Sequence, residues 1–204
     1  MDINEFVDQL SLQSDVVAIS IVGVALSLIL FLNRKRLLVG LREWRIQRCL
    51  GRIGCEQIRD LVCDDGLEGQ YVIDRLVLTP RAILVISYKP FVGNIYCAEK
   101  ISEWTQVVGR QSFKFENPLF ELENQLTALR LLVGSAPLEA YLFFNNSAEF
   151  PKGHPQAVLY PEIIPDEFLS PDCDKLLPDV RAAWDLLRMH REGAAQNSGI
   201  GVKT

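Results

Sequence analysis

Histidine is scarce in this chain: only His154 and His190 occur among 204 residues. A histidine-based nucleophile relay or a His-rich metal site therefore has little to build on. Five cysteines are present, an odd number with no C-x-x-C pair, which argues against a zinc site or a disulfide framework. That usage points to small apolar residues in a reducing compartment. No glycine-rich phosphate loop, no serine-centred nucleophile motif and no internal repeat is found. An excess of basic charge is also lacking. Four of the 26 acids (Asp2, Glu5, Asp8, Asp15) precede residue 16, and the other 22 face 21 basic residues. A near-neutral domain lacks the counterion-release drive of a strongly basic one, so the affinity expected for DNA or RNA is modest.

Apolar residues are plentiful, 49% of the chain, enough for a sizeable core and more. The run 16–32, VVAISIVGVALSLILFL, carries no charge and is followed by Asn33-Arg34-Lys35-Arg36. Its length is near the lower end of the roughly 17–25 residues that span a bilayer. The basic residues follow the apolar run instead of preceding it, and no small-residue cleavage site closes it, which argues against a cleaved leader. The run reads as a single transmembrane helix, with 1–15 as a short extracytoplasmic tail. Positive flanks favour the cytoplasmic side, so the domain is expected in the cytoplasm. Residues 33–50 form a basic juxtamembrane helix. Seven basic residues lie between 34 and 52 against one acid, Glu43. This cluster reads equally as a headgroup-binding surface or as a topology signal alone.

Leu37 to Leu61 shows helical recurrence (Leu38, Leu41, Ile46, Leu50, Ile53, Ile58, Leu61), with Gly51 and Gly54 as a break or close-packing point. Glu56 falls on its second half. Beyond the loop 64–69 come three strands, Tyr71–Leu78, Ala82–Tyr88 and Asn94–Cys97, separated by Thr79-Pro80-Arg81 and Pro90–Gly93. Two charges stand in these apolar strands, Asp74 and Lys89. A charge within a buried strand costs several kcal/mol unless paired or bound to an ion. Asp74 has Arg75, Arg81 and Lys89 as candidate partners. Ser87 and Lys89, two apart, share one face. Glu103–Val108, with Trp104, is a further strand, and 109–116 a loop whose Arg110 and Lys114 are candidate phosphate-backbone contacts. Asn117-Pro118 starts a helix reaching about Val133, with Glu121 in its first turn. Glu139–Asn145 is a buried strand, 157–160 a short one, and 174–191 a closing helix. Residues 192–204 read as a disordered tail.

These elements contain an ordered set of short motifs. Gly54-Cys55-Glu56, Ile73-Asp74-Arg75-Leu76-Val77-Leu78, Ile86-Ser87-Tyr88-Lys89, Gly93-Asn94-Ile95, Trp104 and Asn117-Pro118-Leu119 follow one another within 51–144. In order and spacing they resemble the nuclease-related domain (NERD) family of the restriction-endonuclease-like superfamily. The resemblance implies an α/β core with a central mixed sheet flanked by helices, occupying 51–191 with its closing helix. It also implies a Mg²⁺- or Mn²⁺-dependent phosphodiesterase site acting on nucleic acid. The site residues map to Asp74, Lys89 and Glu56, the last reaching the metal from the first helix. The strand acid two before Lys89 is replaced by Ser87. A family Gln falls on Glu121, and a frequent His on Gln125. With one acid gone, Glu121 is the candidate replacement ligand beside Asp74 and Glu56. The rival expectation is a module without chemistry that binds nucleic acid or protein at the membrane; the residues name no protein partner.

Overall fold

The computed structural model describes residues 28, 31–34, 36–64 and 69–199, and side chains up to residue 193. The predicted tail 1–15 and residues 200–204 lie outside the described residues. So does the predicted membrane span 16–32, apart from Leu28, Phe31 and Leu32. Among the described residues, no helix is long and apolar enough to cross a membrane. The chain divides into two compact units, Met1–Arg48 and Cys49–Thr204. Helix α1 (residues 36–50) supplies most of the described part of the first.

The second unit is a mixed α/β domain with two sheets. Its elements are β1 (Glu56–Asp64), β2 (Gln70–Leu78), β3 (Ile83–Lys89), β4 (Gly93–Tyr96), β5 (Glu103–Val108), β6 (Gln111–Glu116), α2 (Pro118–Val133), β7 (Leu138–Phe144), β8 (Ala148–Glu149), β9 (Val158–Leu159), α3 (Asp166–Leu169) and α4 (Pro178–Gly199). The larger sheet has the order β1-β2-β3-β7-β9; the smaller runs β6-β5-β4-β8. Strands β1, β2 and β3 are antiparallel neighbours, whereas β3–β7 and β7–β9 are parallel. The larger sheet is thus mixed, as the resemblance implies. The three consecutive strands expected around Asp74 do not all stay together, because β4 leaves for the second sheet. The turn into β4 needs Gly93, whose φ is +79° and whose missing Cβ would stand 2.4 Å from the Val107 carbonyl oxygen.

The expected helix 37–61 ends instead at residue 50. Arg52 and Ile53 donate to the Cys49 and Leu50 carbonyls in a turn, and Gly54 takes φ +70°. A Cβ at Gly54 would lie 2.2 Å from Val77 Cγ1 and 2.6 Å from the Leu78 carbonyl oxygen, so only glycine lets the chain cross here. From Glu56 onward the backbone is strand. The helical spacing of Ile58 and Leu61 has another cause. Asp60 sits at φ +53°, between the pairs Arg59↔Arg75 and Leu61↔Ile73, and breaks the alternation of the hairpin. Ile58 and Leu61, three apart, are therefore both buried, as are Ile73 and Leu76 opposite them.

Three further expectations change. Residues 111–116 form β6, not a loop, paired to β5 along its whole length. Helix α4 runs to Gly199, past the start expected for a tail. Cys55 and Cys173 form a disulfide, although the odd count and spacing argued against one. The two are 118 residues apart, with Cα atoms 5.8 Å from each other, so no local spacing could announce the pair. Cys49, Cys63 and Cys97 are free thiols.

Helix α2 begins as expected. The Asn117 side chain accepts from Leu119 N and donates to the Glu99 and Ile101 carbonyls, tying the helix start to the chain before β5. Leu119, Leu122 and Leu129 join Leu76, Val85, Leu142 and Phe144 in the core, with Trp184 of α4.

Candidate functional site

Asp74 lies at the bend of the β1–β2 hairpin. The pairing of β2 with β3 ends at Arg75↔Ile86. Just beyond, the Asp74 carboxylate takes over: Oδ2 accepts from Tyr88 N at 2.9 Å and from the Ser87 hydroxyl at 3.3 Å. A carboxylate receiving an N–H and an O–H is well satisfied, because hydrogen bonds to a charged acceptor are the stronger kind. None of the three basic candidates is the partner in these bonds. Arg75 is buried and its guanidinium donates to Gln57 Oε1. Its pKa falls to about 10, chiefly because burial strips water from the cation, with Arg59 adding like charge; Asp60 and Asp74 oppose the drop.

Lys89, two residues beyond Ser87, reaches α2. Its Nζ is 2.8 Å from Glu121 Oε2, with the lysine side chain 17% exposed and the glutamate 52%. Glu121 Oε1 accepts from Gln125 Nε2 at 3.4 Å, and the same nitrogen donates to the Val72 carbonyl at 3.4 Å. Gln125 is buried, and its Oε1 has no hydrogen-bond partner. A cleft of about 400 Å³ opens beside Lys89 and Glu121, lined also by Tyr71, Phe91, Phe115 and Phe120. A second cleft, about 500 Å³, lies by the β2–β3 turn at Thr79 and Arg81, at the other end of β3 from Lys89. None of the predicted site residues lines it.

The fold thus brings Asp74, Ser87, Lys89, Glu121 and Gln125 into one region where β2, β3 and α2 meet. It does not bring Glu56 there. Glu56 opens β1 opposite Leu78, four residues along β2 from Asp74, or about 13 Å at the rise of a strand. Its carboxylate accepts from the indole N–H of Trp184 at 3.0 Å and lies 3.8 Å from Arg188. The helix expected to carry it is replaced by a strand. Lys114 is on β6 and pairs with Glu103 at 3.0 Å, both side chains exposed. Arg110 is in the β5–β6 turn, and neither basic residue lines the cleft at Lys89. Among the described residues, no group of three or more His, Cys, Asp or Glu side chains is placed to hold a metal ion.

The part played by Ser87 and Tyr88 N at Asp74 was missed by sequence reasoning. Antiparallel register offered the signal, since Arg75↔Ile86 makes position 87 the neighbour of Asp74. That register becomes readable only once the β2–β3 turn is known.

Comparison with known proteins places this geometry in context. The model of the family described as NERD, nuclease-related domain, matches residues 42–145, half of the chain. An uncharacterized protein of Bacillus anthracis is 31% identical over 61 residues, which cover 30% of this chain and 29% of that protein. The aligned part is thus less than a third of the relative's length. No solved structure matches the chain.

Proposed function

The chain belongs to the nuclease-related domain family, and from that premise we propose that it is a nuclease-like binding module, held at a membrane by residues 16–32, whose phosphodiesterase chemistry is lost. One observation carries the reading: the Ser87 hydroxyl donates to the Asp74 carboxylate. An acid at position 87 would set two carboxylates side by side, an arrangement that needs a shared cation or a proton. Serine satisfies Asp74 with a hydrogen bond and removes that need.

The donor set supports the same conclusion for Mg²⁺ or Mn²⁺, the ions of the implied site. A hard cation is held by oxygen ligands, preferably carboxylates not neutralised by other partners. Both oxygens of Glu121 are engaged, one by Lys89 and one by Gln125. Glu56 serves Trp184 and Arg188 elsewhere. Of the three implied ligands only Asp74 remains, and it already accepts two hydrogen bonds, so the residues present do not make the implied metal site, and no reaction step is derived through a metal. What remains is the Lys89 cleft with its aromatic walls, a surface suited to binding nucleic acid or protein without cleaving it. A second reading, a weakened metal-dependent phosphodiesterase, is favoured by the presence of Asp74 and Lys89 on adjacent strands.

The orientation proposed places the domain in the cytoplasm, from the basic residues after 32. The Cys55–Cys173 bond pulls the other way, since disulfides persist mainly in oxidising compartments. Labelling of intact cells with a membrane-impermeant thiol reagent, before and after reduction, decides between them.

The test of function is a calorimetric titration of the full chain with Mg²⁺ and Mn²⁺, alongside cleavage of mixed DNA and RNA. Wild type is expected to bind neither ion and to cleave nothing, while Ser87→Glu gains cation binding. Cleavage by wild type that Asp74→Ala abolishes would overturn the proposal in favour of the second reading.

A further inference from the structure

Helix α1 carries a side that nothing in the site explains. Leu37, Leu41, Trp44 and Arg48 follow at intervals of four, three and four residues, which places them in one stripe. Leu38 and Arg45 flank it. All of these are exposed, Trp44 at 57% and Leu38 at 63%; on the other side of the helix Ile46 and Leu50 are buried, while Val39, one heptad before Ile46, is exposed. Four large apolar side chains left to water on three turns of helix are unfavourable unless something apolar covers them. The guanidinium of Arg48 lies 5.2 Å from the Trp44 ring centroid, a cation–π arrangement that joins the apolar and basic parts of the stripe. The one acid of the segment, Glu43, lies off this side and receives Gln47 Nε2 at 3.0 Å.

We infer that this side of α1 lies in the interfacial layer of a membrane rich in anionic lipid, with Leu37, Leu38, Leu41 and Trp44 among the upper acyl chains and Arg45 and Arg48 at the headgroups. The chemistry of the stripe selects this occupant. A nucleic acid would use the arginines and the indole but would leave the leucines wet. A neutral bilayer would take the leucines and the indole but offer the arginines nothing. An anionic bilayer satisfies both, and an indole ring is the side chain best suited to the boundary. The inference deepens the membrane reading without depending on it. The run 16–32 would hold the chain at a bilayer, whereas α1 would fix its segment flat against the surface and choose the lipid.

The chain carries its own probe. Of its three tryptophans, Trp104 and Trp184 are fully buried, so lipid-borne quenching reports on Trp44. The full chain is reconstituted with vesicles of brominated phosphatidylcholine, with or without phosphatidylglycerol. Quenching is expected in the anionic vesicles, weakened by salt and abolished in Trp44→Phe. Arg45→Gln with Arg48→Gln removes two surface charges at about 1 kcal/mol each, so docking should fall roughly 30-fold. No quenching, or equal quenching with and without phosphatidylglycerol, overturns the inference. So does a Trp44 response to single-stranded DNA in place of anionic lipid. Flotation of the same samples tests the span separately: a chain that fails to float with neutral vesicles refutes the anchor at 16–32, whatever Trp44 reports.

Discussion

At the Leu78 end of β2, Glu56 is tied to the indole of a buried tryptophan, one residue from a disulfide that clasps the start of β1 to the turn before α4. Four residues back along the same strand, Asp74 is held by a hydroxyl and a backbone N–H, beside a lysine–glutamate pair that opens onto a cleft. Both acids occupy positions that the family resemblance assigns to one metal site. The first has been absorbed into the packing of α4 on the sheet; the second remains near open space but is satisfied by its own neighbours. A family motif therefore names residues, and the partners of those residues decide whether any chemistry is left to them.

The contrast can be broken at four strengths. The largest effect is expected at the clasp. A disulfide closing a loop of this length contributes about 4–5 kcal/mol in the chain-entropy account, so Cys55→Ala should lower the denaturation midpoint strongly. Alkylation of the denatured chain should modify three cysteines before reduction and five after, counted by mass spectrometry. Asp74→Ala comes next. It removes a charged acceptor from Tyr88 N and Ser87 and should cost about 2–3 kcal/mol in urea unfolding. Glu56→Ala strips one acceptor from buried Trp184, whose carboxylate partner is half exposed, so about 1–2 kcal/mol is expected. If the two ends are separate, this change leaves ligand binding at the Lys89 cleft untouched. The smallest effect is at Lys89→Met. The partner Glu121 is more than half exposed, which limits the pair to under about 1 kcal/mol.

The free thiols sharpen the same comparison in the folded protein. Burial pushes Cys63 and Cys97 up to about 11, the neighbouring Asp64 adding to the effect at Cys63. Only the thiolate is nucleophilic, so at pH 8 roughly one molecule in a thousand is reactive at either site. Native alkylation should therefore be slow at pH 8 and accelerate about tenfold per pH unit up to about 11. Burial also raises the third free thiol, Cys49, so a fast-reacting thiol at pH 8 that maps to Cys55 or Cys173 would reveal a reduced clasp.

Some of this molecule was legible from residues alone, where the signal is local. The alternation and turn residues around 71–97 yield β2, β3 and β4 within a residue or two. Asn117-Pro118 marks the start of α2, because an N-cap acceptor and a proline without N–H suit the same turn. The residues of the candidate site, Asp74, Ser87, Lys89 and Glu121, were singled out by charge in apolar strands and by the family resemblance. Strand period put Ser87 and Lys89 on one face, but the bond from Ser87 to Asp74 and the reach of Lys89 to Glu121 came only with the fold. The rest depended on residues far apart in the chain. Ile58 and Leu61 have helical spacing, yet one left-handed residue in a hairpin produces it. Cys55 and Cys173 are joined across 118 residues, and Glu56 meets Trp184 across 128. Period and capping act within a few residues and can be read in order; pairing register and long-range contact exist only after the sheet has closed, and it was the tertiary structure that decided which partners each acid met.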